Sequence, residues 1–474
     1  MNTTHDLQFI LPEMVLMGFA VVTLIGSVLK PQKNLWGLFS LLGVALSAYV
    51  FPVSLQAGQI FFSGMLINDS FSVFFREILL LIAGIVILIS MGYGKLEEDE
   101  RGEYYFFILI LTVSMMLAVA STNLIMIYIT LETVSILSYI MAGYLKKDIF
   151  SAEAGIKYFL FGVLSTGVML FGVSLIYGLF GNLDLLVIAG QLATLTLPQQ
   201  AALLFSLLLV FVGFAFKCSL VPFHMWTPDV YEGAPTPVAA LFSVGPKAMG
   251  FALFLRVFYS PLIAVMPQWT QMASVIAILT MTVGNIMALG QNNIKRLLAY
   301  STIAQAGYIF IGLAVVTVTG IKAVLFYLFV YVLMNLAAFG AVIMVSEYLK
   351  SETIDDYAGL YKRDPWTAII LTIALLSLAG IPPLAGFLAK FFILAAAVEA
   401  KLIGLAIVAV LNSVVGVYYY IRIVKFMFLQ EPKEISITPK SPALQLALTI
   451  TIIGTVVVGI WPHPIIDWLT VLFP

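Results

Sequence analysis

The stretch VGFAFKCSLVPFHMWTPDV, residues 212–230, joins a membrane-spanning pattern to a helix break. It closes a long apolar run in which Lys217 carries a charge, and Pro222 follows five residues later. A proline inside a helix removes a backbone hydrogen bond and interrupts the helix. A charge at membrane depth costs about 3 kcal/mol, so it usually faces a bundle interior or water and marks an ion path. The stretch therefore predicts a broken membrane helix with a functional lysine beside the break.

The composition of the whole chain is that of a polytopic membrane protein. Of its 474 residues, 62% are hydrophobic and 10% are charged, whereas soluble domains are about half apolar and a quarter charged. The net charge of −1 makes nucleic acid an unexpected partner. Cys218 is the only cysteine and the three histidines are scattered, so we expect no disulfide within the chain, no Fe–S cluster and no metal site. The sequence has no Gly-rich dinucleotide fingerprint and no P-loop, so no cofactor is expected in this chain.

Apolar runs predict fourteen transmembrane helices, numbered here as spans in chain order. Each is long enough to cross about 30 Å of hydrocarbon as a helix. Span 7 is interrupted by Pro222, and span 12 is interrupted by AGIPPLAG at 379–386, which contains Pro382 and Pro383. The predicted spans are 8–29, 34–52, 71–93, 104–121, 123–144, 152–180, 200–221, 237–260, 269–290, 294–316, 319–347, 365–400, 402–429 and 443–470.

The distribution of lysine and arginine predicts the orientation. If the N-terminus lies outside, fifteen basic residues fall on the cytoplasmic side, whereas Arg256, Lys322 and Lys401 fall on the opposite side. This excess supports an even number of spans with both termini outside, which is the periplasmic side of a bacterial cytoplasmic (inner) membrane. The fifteen are Lys30, Lys33, Lys95, Arg101, Lys146, Lys147, Lys295, Arg296, Lys350, Lys362, Arg363, Arg422, Lys425, Lys433 and Lys440.

Three further charged residues lie deep in the spans. Glu132 is nine residues into NLIMIYITLETVSILSYIMAGY, Lys247 is central in span 8, and Lys390 is deep in span 12. Lysine suits a proton relay because desolvation readily lowers its pKa, whereas arginine stays charged. A buried lysine beside a carboxylate stays protonated and can release its proton when the carboxylate moves away. Together with Lys217, these residues predict a proton relay.

Several other polar residues have structural explanations that stay open at this point. Lys157 is only about two turns inside its helix, so its ammonium can snorkel to the membrane surface. His224 fits a polar residue near the break better than a ligand. Asp229 and Glu232 fit residues that cap or line the turn TPDVYEGAPTP at 227–237, although either could shape a water entrance.

The two broken helices suggest an internal repeat. They are five spans apart, and an odd number of spans inverts the second copy, as in many transporters. If spans 4–8 and 9–13 are repeats, Lys217, which precedes Pro222, matches Lys390, which follows Pro383. The expected divisions are an N-terminal three-helix segment, two five-helix repeats and a C-terminal helix, at 1–103, 104–260, 261–429 and 430–474.

Four stretches carry a family resemblance. The chain resembles the subunit N family, one of the antiporter-like membrane-subunit families of respiratory NADH–quinone oxidoreductase, complex I. The resemblance implies fourteen helices with two inverted five-helix repeats in a proton-pumping arm, next to other antiporter-like and small membrane subunits. It also implies that NAD(H), FMN, Fe–S clusters and quinone belong to partner subunits. The stretches are FKCSLVPFHMWTPDVYEGAPTPV (216–238), GNIMALGQNNIKRLLAYSTIAQAGY (284–308), SLAGIPPLAGFLAKFFIL (377–394) and VYYYIR (417–422).

The family's pumping residues carry over to matching positions, with one departure. Related subunits often carry histidine where this chain has Gln305, and glutamine cannot titrate. If protons pass there, water or a neighbour such as Tyr300 must carry them. The resemblance implies that the relay consists of Glu132, Lys157, Lys217, Lys247 and Lys390.

The expected function is proton translocation by a subunit without a redox centre. Quinone reduction in other subunits would change the Glu132–Lys217 pairing, Lys217 would pass its proton toward Lys247, and Lys390 would exchange it with the far side. One alternative is a subunit of an Mrp-type cation/proton antiporter. Another is a structural membrane subunit whose buried charges are inert.

Overall fold

A computed structural model describes residues 3–30, 32, 34–51, 59–97, 100–259, 269–432 and 441–472. Lys33, Lys433 and Lys440, which entered the charge count, lie outside the described residues. Within the described residues the chain is almost entirely helical. The helices are α1 Thr3–Phe9, α2 Leu11–Leu29, α3 Leu35–Val50, α4 Ser70–Met91, α5 Arg101–Ala120, α6 Leu124–Ala142, α7 Ile149–Phe180, α8 Leu185–Gln191, α9 Leu197–Cys218, α10 Trp226–Gly233, α11 Thr236–Phe258, α12 Trp269–Leu289, α13 Ile294–Val315, α14 Val318–Leu349, α15 Leu360–Arg363, α16 Pro365–Ala379, α17 Ala385–Glu399, α18 Ile403–Leu429, α19 Pro442–Ile460 and α20 His463–Leu472.

The predicted class, an all-α polytopic membrane protein, is confirmed. Twelve helices of the described residues are long and apolar enough to cross a membrane. The other two predicted spans are α3, which has 16 residues, and the split pair α16 and α17, which have 15 residues each. The described residues therefore hold the fourteen predicted membrane segments, while the inverted relation between spans 4–8 and 9–13 stays a prediction.

Both predicted helix breaks are confirmed. Span 7 ends as α9 at Cys218 and resumes as α10 at Trp226, and span 12 ends as α16 at Ala379 and resumes as α17 at Ala385. The peptide bonds Val221–Pro222 and Pro382–Pro383 are cis. Each interruption leaves the last carbonyls of a half-helix without a partner in the helix itself.

The structure corrects the predicted end of span 14 and adds elements in the connections. The helix stops at Ile460 and a separate helix, α20, begins at His463. Pro462 explains the stop because proline has no N–H to continue the hydrogen-bond pattern. Helix α8 lies in what the sequence indicated as a plain connection, and a short antiparallel hairpin pairs Gln59–Phe61 with Leu66–Asn68.

Asparagine and aspartate side chains set the starts of several helices. Each accepts a hydrogen bond from a backbone N–H in the first turn, which satisfies a donor that the helix cannot pair. The capping residues are Asn123 for α6, Asp148 for α7, Asp184 for α8, Asn293 for α13 and Asp364 for α16. These caps fix where the membrane segments begin relative to the polar connections.

Packing groups the chain into two compact units. The first unit comprises Met1–Ile87, Leu96–Cys218 and Gly245–Trp269, and the second comprises Leu88–Lys95, Ser219–Val244 and Thr270–Pro474. In the first unit α7 packs on α9 and α2 packs on α5. In the second unit α14 is central and packs on α13, α16, α17 and α19. Because the units interleave along the chain, the predicted divisions at 103, 260 and 429 stay predictions.

Candidate functional site: buried lysines at two helix breaks

Lys217 lies at the end of α9 in the first unit and is 1% exposed. Its Nζ donates a hydrogen bond of 3.1 Å to the Oγ of Ser135 on α6, and the ammonium is 5.5 Å from the ring centre of Tyr158 on α7. Glu132 stands one helical turn before Ser135 on the same helix. Lys217 therefore binds α6 one helical turn from Glu132, and the Ser135 hydroxyl is the group in direct contact with the ammonium.

Lys247 meets the same break from α11. It is 2% exposed, and its Nζ donates a hydrogen bond of 3.1 Å to the carbonyl of Cys218, the last residue of α9. The carbonyl end of a helix carries partial negative charge, which a cation stabilises. Lys247 therefore binds the carbonyl of the residue that follows Lys217 in the chain.

Lys390 occupies the second break, within the second unit. It is 7% exposed, and its Nζ donates hydrogen bonds of 2.9 Å to the carbonyl of Ala379 and to the Oγ of Ser413. The ammonium also lies 4.6 Å from the ring centre of Tyr308. Ala379 is the last residue of α16, so this lysine also binds the carbonyl end of a half-helix.

Gln305 lies beside the same half-helix. Its Nε2 donates a hydrogen bond of 2.9 Å to the carbonyl of Leu378, and its Oε1 accepts a hydrogen bond of 2.5 Å from the Tyr327 hydroxyl. The Tyr420 hydroxyl is 3.4 Å from Nε2. The sequence-based choice of Tyr300 as the hydroxyl neighbour is therefore corrected to Tyr327 and Tyr420. Positions 300 and 305 are about 140° apart around α13, so they face different surroundings.

Lys157 and His224 lie apart from these contacts. Lys157 on α7 is 37% exposed and pairs with Glu153 at 2.7 Å, one turn earlier. Its side chain points to a different side of α7 from that of Tyr158, because successive residues of a helix are about 100° apart around its axis. His224 is half-buried in the turn before α10, where its carbonyl accepts from the Thr227 N–H.

A charged cluster that the sequence did not predict holds α10 within the second unit. Arg296 binds Asp229 and Glu232 at 2.7 Å each. Lys295, 3% exposed, donates to the carbonyls of Glu232 and Ala234 at 2.7 and 2.9 Å and pairs with Glu352 at 3.2 Å. Asp229 and Glu232 thus serve as anchors for Arg296. The signal in the sequence was the basic pair after Asn293 facing an acidic turn.

Buried amides and tyrosines near Lys390 were also missed. Asn285 donates to the Tyr308 hydroxyl at 3.2 Å and to the Asn412 side-chain carbonyl at 3.3 Å, and it accepts from Tyr419 at 3.0 Å. The Ser301 and Tyr420 hydroxyls are hydrogen-bonded to each other. Isolated asparagines within apolar runs were the available signal, since buried polar groups need partners.

Two ion pairs anchor helices within the first unit. Arg76 on α4 and Glu13 on α2 meet at 3.0 Å, with both side chains almost fully buried. Arg256 on α11 binds both carboxylate oxygens of Asp69, just before α4. Burial alone would raise the pKa of Asp69, but the Arg256 charge, together with hydrogen bonds from Arg256 and Ser72, lowers it below its usual value. The described residues contain no group of three or more His, Cys, Asp or Glu side chains placed to hold a metal ion.

In the described part of the chain, twelve helices that can span a membrane, shorter apolar helices, two broken helices and buried lysines beside the breaks together fit the antiporter-like class of membrane subunits. The family model described as NADH:quinone oxidoreductase/Mrp antiporter, transmembrane, matches residues 121–416, which is more than half of the chain. The chain belongs to this family.

Similar proteins agree over nearly the whole chain. NADH-quinone oxidoreductase subunit N of Trichlorobacter lovleyi is 42% identical over 471 residues, covering 98% of this chain and 96% of that protein. A chain of respiratory complex I from Thermus thermophilus, solved with bound aureothin, is similar with a TM-score of 0.81 at 32% identity, covering 96% of this chain and 98% of that chain. A chain of the Mrp complex from a Dietzia species has a TM-score of 0.82 at 21% identity, covering 97% and 96%, which shows the fold alone.

Proposed function

We propose that the chain is a membrane-arm subunit of a proton-pumping NADH–quinone oxidoreductase, of the subunit N type, and that it moves protons without redox chemistry of its own. The observation that carries the proposal is the placement of Lys217, Lys247 and Lys390. Each is at least 93% buried. Lys247 and Lys390 are hydrogen-bonded to carbonyl oxygens at the helix breaks, and Lys217, next to the end of α9, is hydrogen-bonded to the Ser135 hydroxyl. An intramembrane ionisable residue in such a place indicates an ion path.

The chemistry of these contacts suits proton release. A serine hydroxyl or a carbonyl stabilises an ammonium less than a carboxylate does, because the oxygen carries only partial charge. Desolvation favours the neutral amine, so a small change in surroundings can shift the balance between the two forms. Arginine in the same place would stay charged.

The step that starts translocation is a change in the distance between α6 and α9. Glu132 and Ser135 are on α6 and Lys217 is on α9. When Glu132 approaches, Lys217 holds its proton, and when Glu132 withdraws, Lys217 passes the proton toward Lys247. Lys390 exchanges a proton with the far side of the membrane. The driving change arises from quinone reduction in other subunits, which must favour one arrangement over the other.

The proposal also specifies the partner subunits and the membrane in which the chain resides. NAD(H), FMN, Fe–S clusters and quinone reside in partner subunits, and the neighbours in the membrane are other antiporter-like and small membrane subunits. The complex resides in the bacterial cytoplasmic (inner) membrane, with both termini of this chain in the periplasm. Co-purification tests this: flavin and Fe–S subunits should accompany the chain.

Substitution of Lys217 tests the relay. Lys217→Ala and Lys217→Arg should both assemble and both lose most proton pumping per electron, because neither side chain can alternate between charged and neutral forms. Lys362→Ala is the control, since Lys362 is exposed and pairs with Glu431 at 2.6 Å. A normal proton-to-electron ratio in assembled Lys217→Arg complex would contradict the relay. Normal pumping after removal of both Lys217 and Lys390 would support inert structural charges.

A second candidate function is cation/proton exchange within an Mrp-type antiporter, because the matched family includes Mrp antiporters and the fold is shared with one. Membrane vesicles carrying the chain with its co-purified partners distinguish the two. Sodium-dependent proton exchange without electron transfer would favour the antiporter. Proton uptake that requires NADH oxidation and stops with a quinone-site inhibitor favours the oxidoreductase.

A further inference from the structure

The end of α16 at the second break has every terminal carbonyl bound. The last four carbonyls of a helix have no partner within the helix. Two of them are bound by backbone: the Leu376 carbonyl accepts from the N–H groups of Gly380 and Ile381 at 3.1 and 3.0 Å, and the Ser377 carbonyl accepts from Gly380 at 2.9 Å. Gly380 has a φ of +86°, a conformation that glycine adopts without strain. The turn itself therefore satisfies half of the helix end.

Side chains bind the other two carbonyls. Gln305 donates to the Leu378 carbonyl at 2.9 Å, and Lys390 donates to the Ala379 carbonyl at 2.9 Å. Adjacent carbonyls at one helix end are thus held by one group that can change protonation and one that cannot. Each contact satisfies a carbonyl at membrane depth, and the Ser413 Oγ is a second donor to the Ala379 carbonyl at 3.3 Å.

The side-chain amide of Gln305 also holds the hydroxyl of Tyr327 in place. While Nε2 donates to Leu378, Oε1 accepts from Tyr327 at 2.5 Å. A carboxamide offers a donor and an acceptor at once, and it does so at every pH. Because the Leu378 carbonyl can only accept, these contacts fix which way the amide points. A histidine could make the same two contacts only when neutral, since its charged form has two donors and no acceptor.

We propose that Gln305 is a positioning residue that holds the second break in one geometry whatever the protonation state of its surroundings, so that Lys390 alone changes protonation there. The inference rests on the proposed function, in which Lys390 exchanges protons. Gln305 acts through the helix end and carries no proton. Its non-titrating side chain keeps the Lys390 site unchanged through each cycle.

Replacement of Gln305 by histidine tests the inference through the pH profile. In the purified complex, Gln305→His should pump normally near pH 7.5 and lose pumping relative to the unaltered complex as pH falls below the ordinary histidine pKa of about 6.5, because burial and the Lys390 ammonium disfavour the charged ring. We expect a loss of about twofold or more by about pH 5, because the charged ring can no longer accept from Tyr327 and adds a cation near Lys390. An unchanged ratio of the two profiles would overturn the proposal.

A second measurement does not depend on pumping. Gln305→Leu leaves the Leu378 carbonyl without its side-chain donor, so amide hydrogen exchange at Gly380 and Ile381 should accelerate about tenfold or more. Asn335→Leu is the matched control, because it removes another fully buried amide, which donates to Ser243 on α11. Equal exchange in both variants would overturn the positioning role. If the unaltered complex fails to pump, the proposed function fails, while this exchange result still decides whether Gln305 holds the break.

Discussion

At each of the two helix breaks a lysine binds the carbonyl end of a half-helix, but the two lysines come from different positions in the chain. At the first break, the lysine that binds the carbonyl end is Lys247, which comes from the next helix, while Lys217 on the broken helix itself reaches Ser135. At the second break, Lys390 on the resumed half-helix folds back onto the end of the first half. The lysine of the first break that makes the same kind of contact as Lys390 is therefore Lys247. The sequence-based match between Lys217 and Lys390 concerns their places in the two repeats, and it stays a prediction.

The difference shows what a break requires. A half-helix that ends inside a membrane exposes carbonyls with partial negative charge, and a cation or amide must bind them. The donor can come from any element that passes close by, so its position in the sequence is free. The first break leaves Lys217 available for contact with α6, whereas the second break uses its own lysine for the helix end. The first break thus has two lysines with separate roles.

The largest expected effect concerns the glycines at the two breaks. A Cβ on Gly386 would lie 1.8 Å from the backbone carbonyl oxygen of Ser377, whereas a Cβ on Gly250 would meet the Cys218 Sγ at 2.6 Å. Backbone cannot move aside as a small side chain can, so Gly386→Ala should cost more than about 3 kcal/mol and Gly250→Ala about 1–2 kcal/mol. Yield and melting temperature of the solubilised complex measure both.

Gly404→Ala is the control for these glycines, because nothing lies within 4 Å of the added Cβ. It should leave yield and melting temperature unchanged. If Gly386→Ala were tolerated as well as Gly404→Ala, the close approach of the two halves of span 12 would be wrong, and the contrast between the breaks would disappear.

Much of the fold follows from local sequence. Long apolar runs predicted the spans, and prolines after Cys218 and Ala379 predicted the breaks, since both signals act within a few residues. The side-chain partners did not follow. Ser135 and Lys217 are 82 positions apart, and Tyr327 reaches Gln305 from another helix. Which faces of two apolar helices meet depends on packing, and one sequence without periodic polarity does not indicate it.

The shorter elements also show that local sequence did not predict contacts between distant parts of the chain. Pro462 gave a local signal for the end of α19 that the apolar character of the following residues concealed. The charge count described Lys295 and Arg296 only as cytoplasmic residues, although they bind α10. Such contacts need the turn at 227–237 to be placed against the start of α13, which is information about tertiary structure.

A moderate effect should separate the two carbonyl-binding lysines. Among the described residues, the Cys218 carbonyl has Lys247 as its side-chain donor, whereas the Ala379 carbonyl also accepts from the Ser413 Oγ at 3.3 Å. Lys247→Met should therefore lower the free energy of unfolding by about 1 kcal/mol more than Lys390→Met, since one unsatisfied carbonyl costs about that amount. Both variants should lose pumping. Denaturation of the solubilised complex measures the difference.

The double variant Lys390→Met with Ser413→Ala sharpens this prediction. It removes both side-chain donors from Ala379, so the second break should then lose as much stability as the first break does in Lys247→Met. If the Ser413 substitution added nothing to Lys390→Met, the serine would not be the second donor, and the asymmetry between the breaks would need another cause.

The smallest expected effect is a pH dependence that belongs to the first break alone. Arg256 is on α11, the helix that supplies Lys247, and it binds Asp69. Because the pKa of Asp69 is lowered in the folded chain, the pair contributes full stability above the usual aspartate pKa of about 3.9 and loses it as pH falls through the lower folded value. Asp69→Asn should lower stability at pH 7 by about 0.5 kcal/mol and remove this part of the acid sensitivity. Melting temperatures of both forms between pH 7 and 3 should converge toward the acid end, with exposed Asp467→Asn as the control. Parallel curves would show that the pair does not anchor α11.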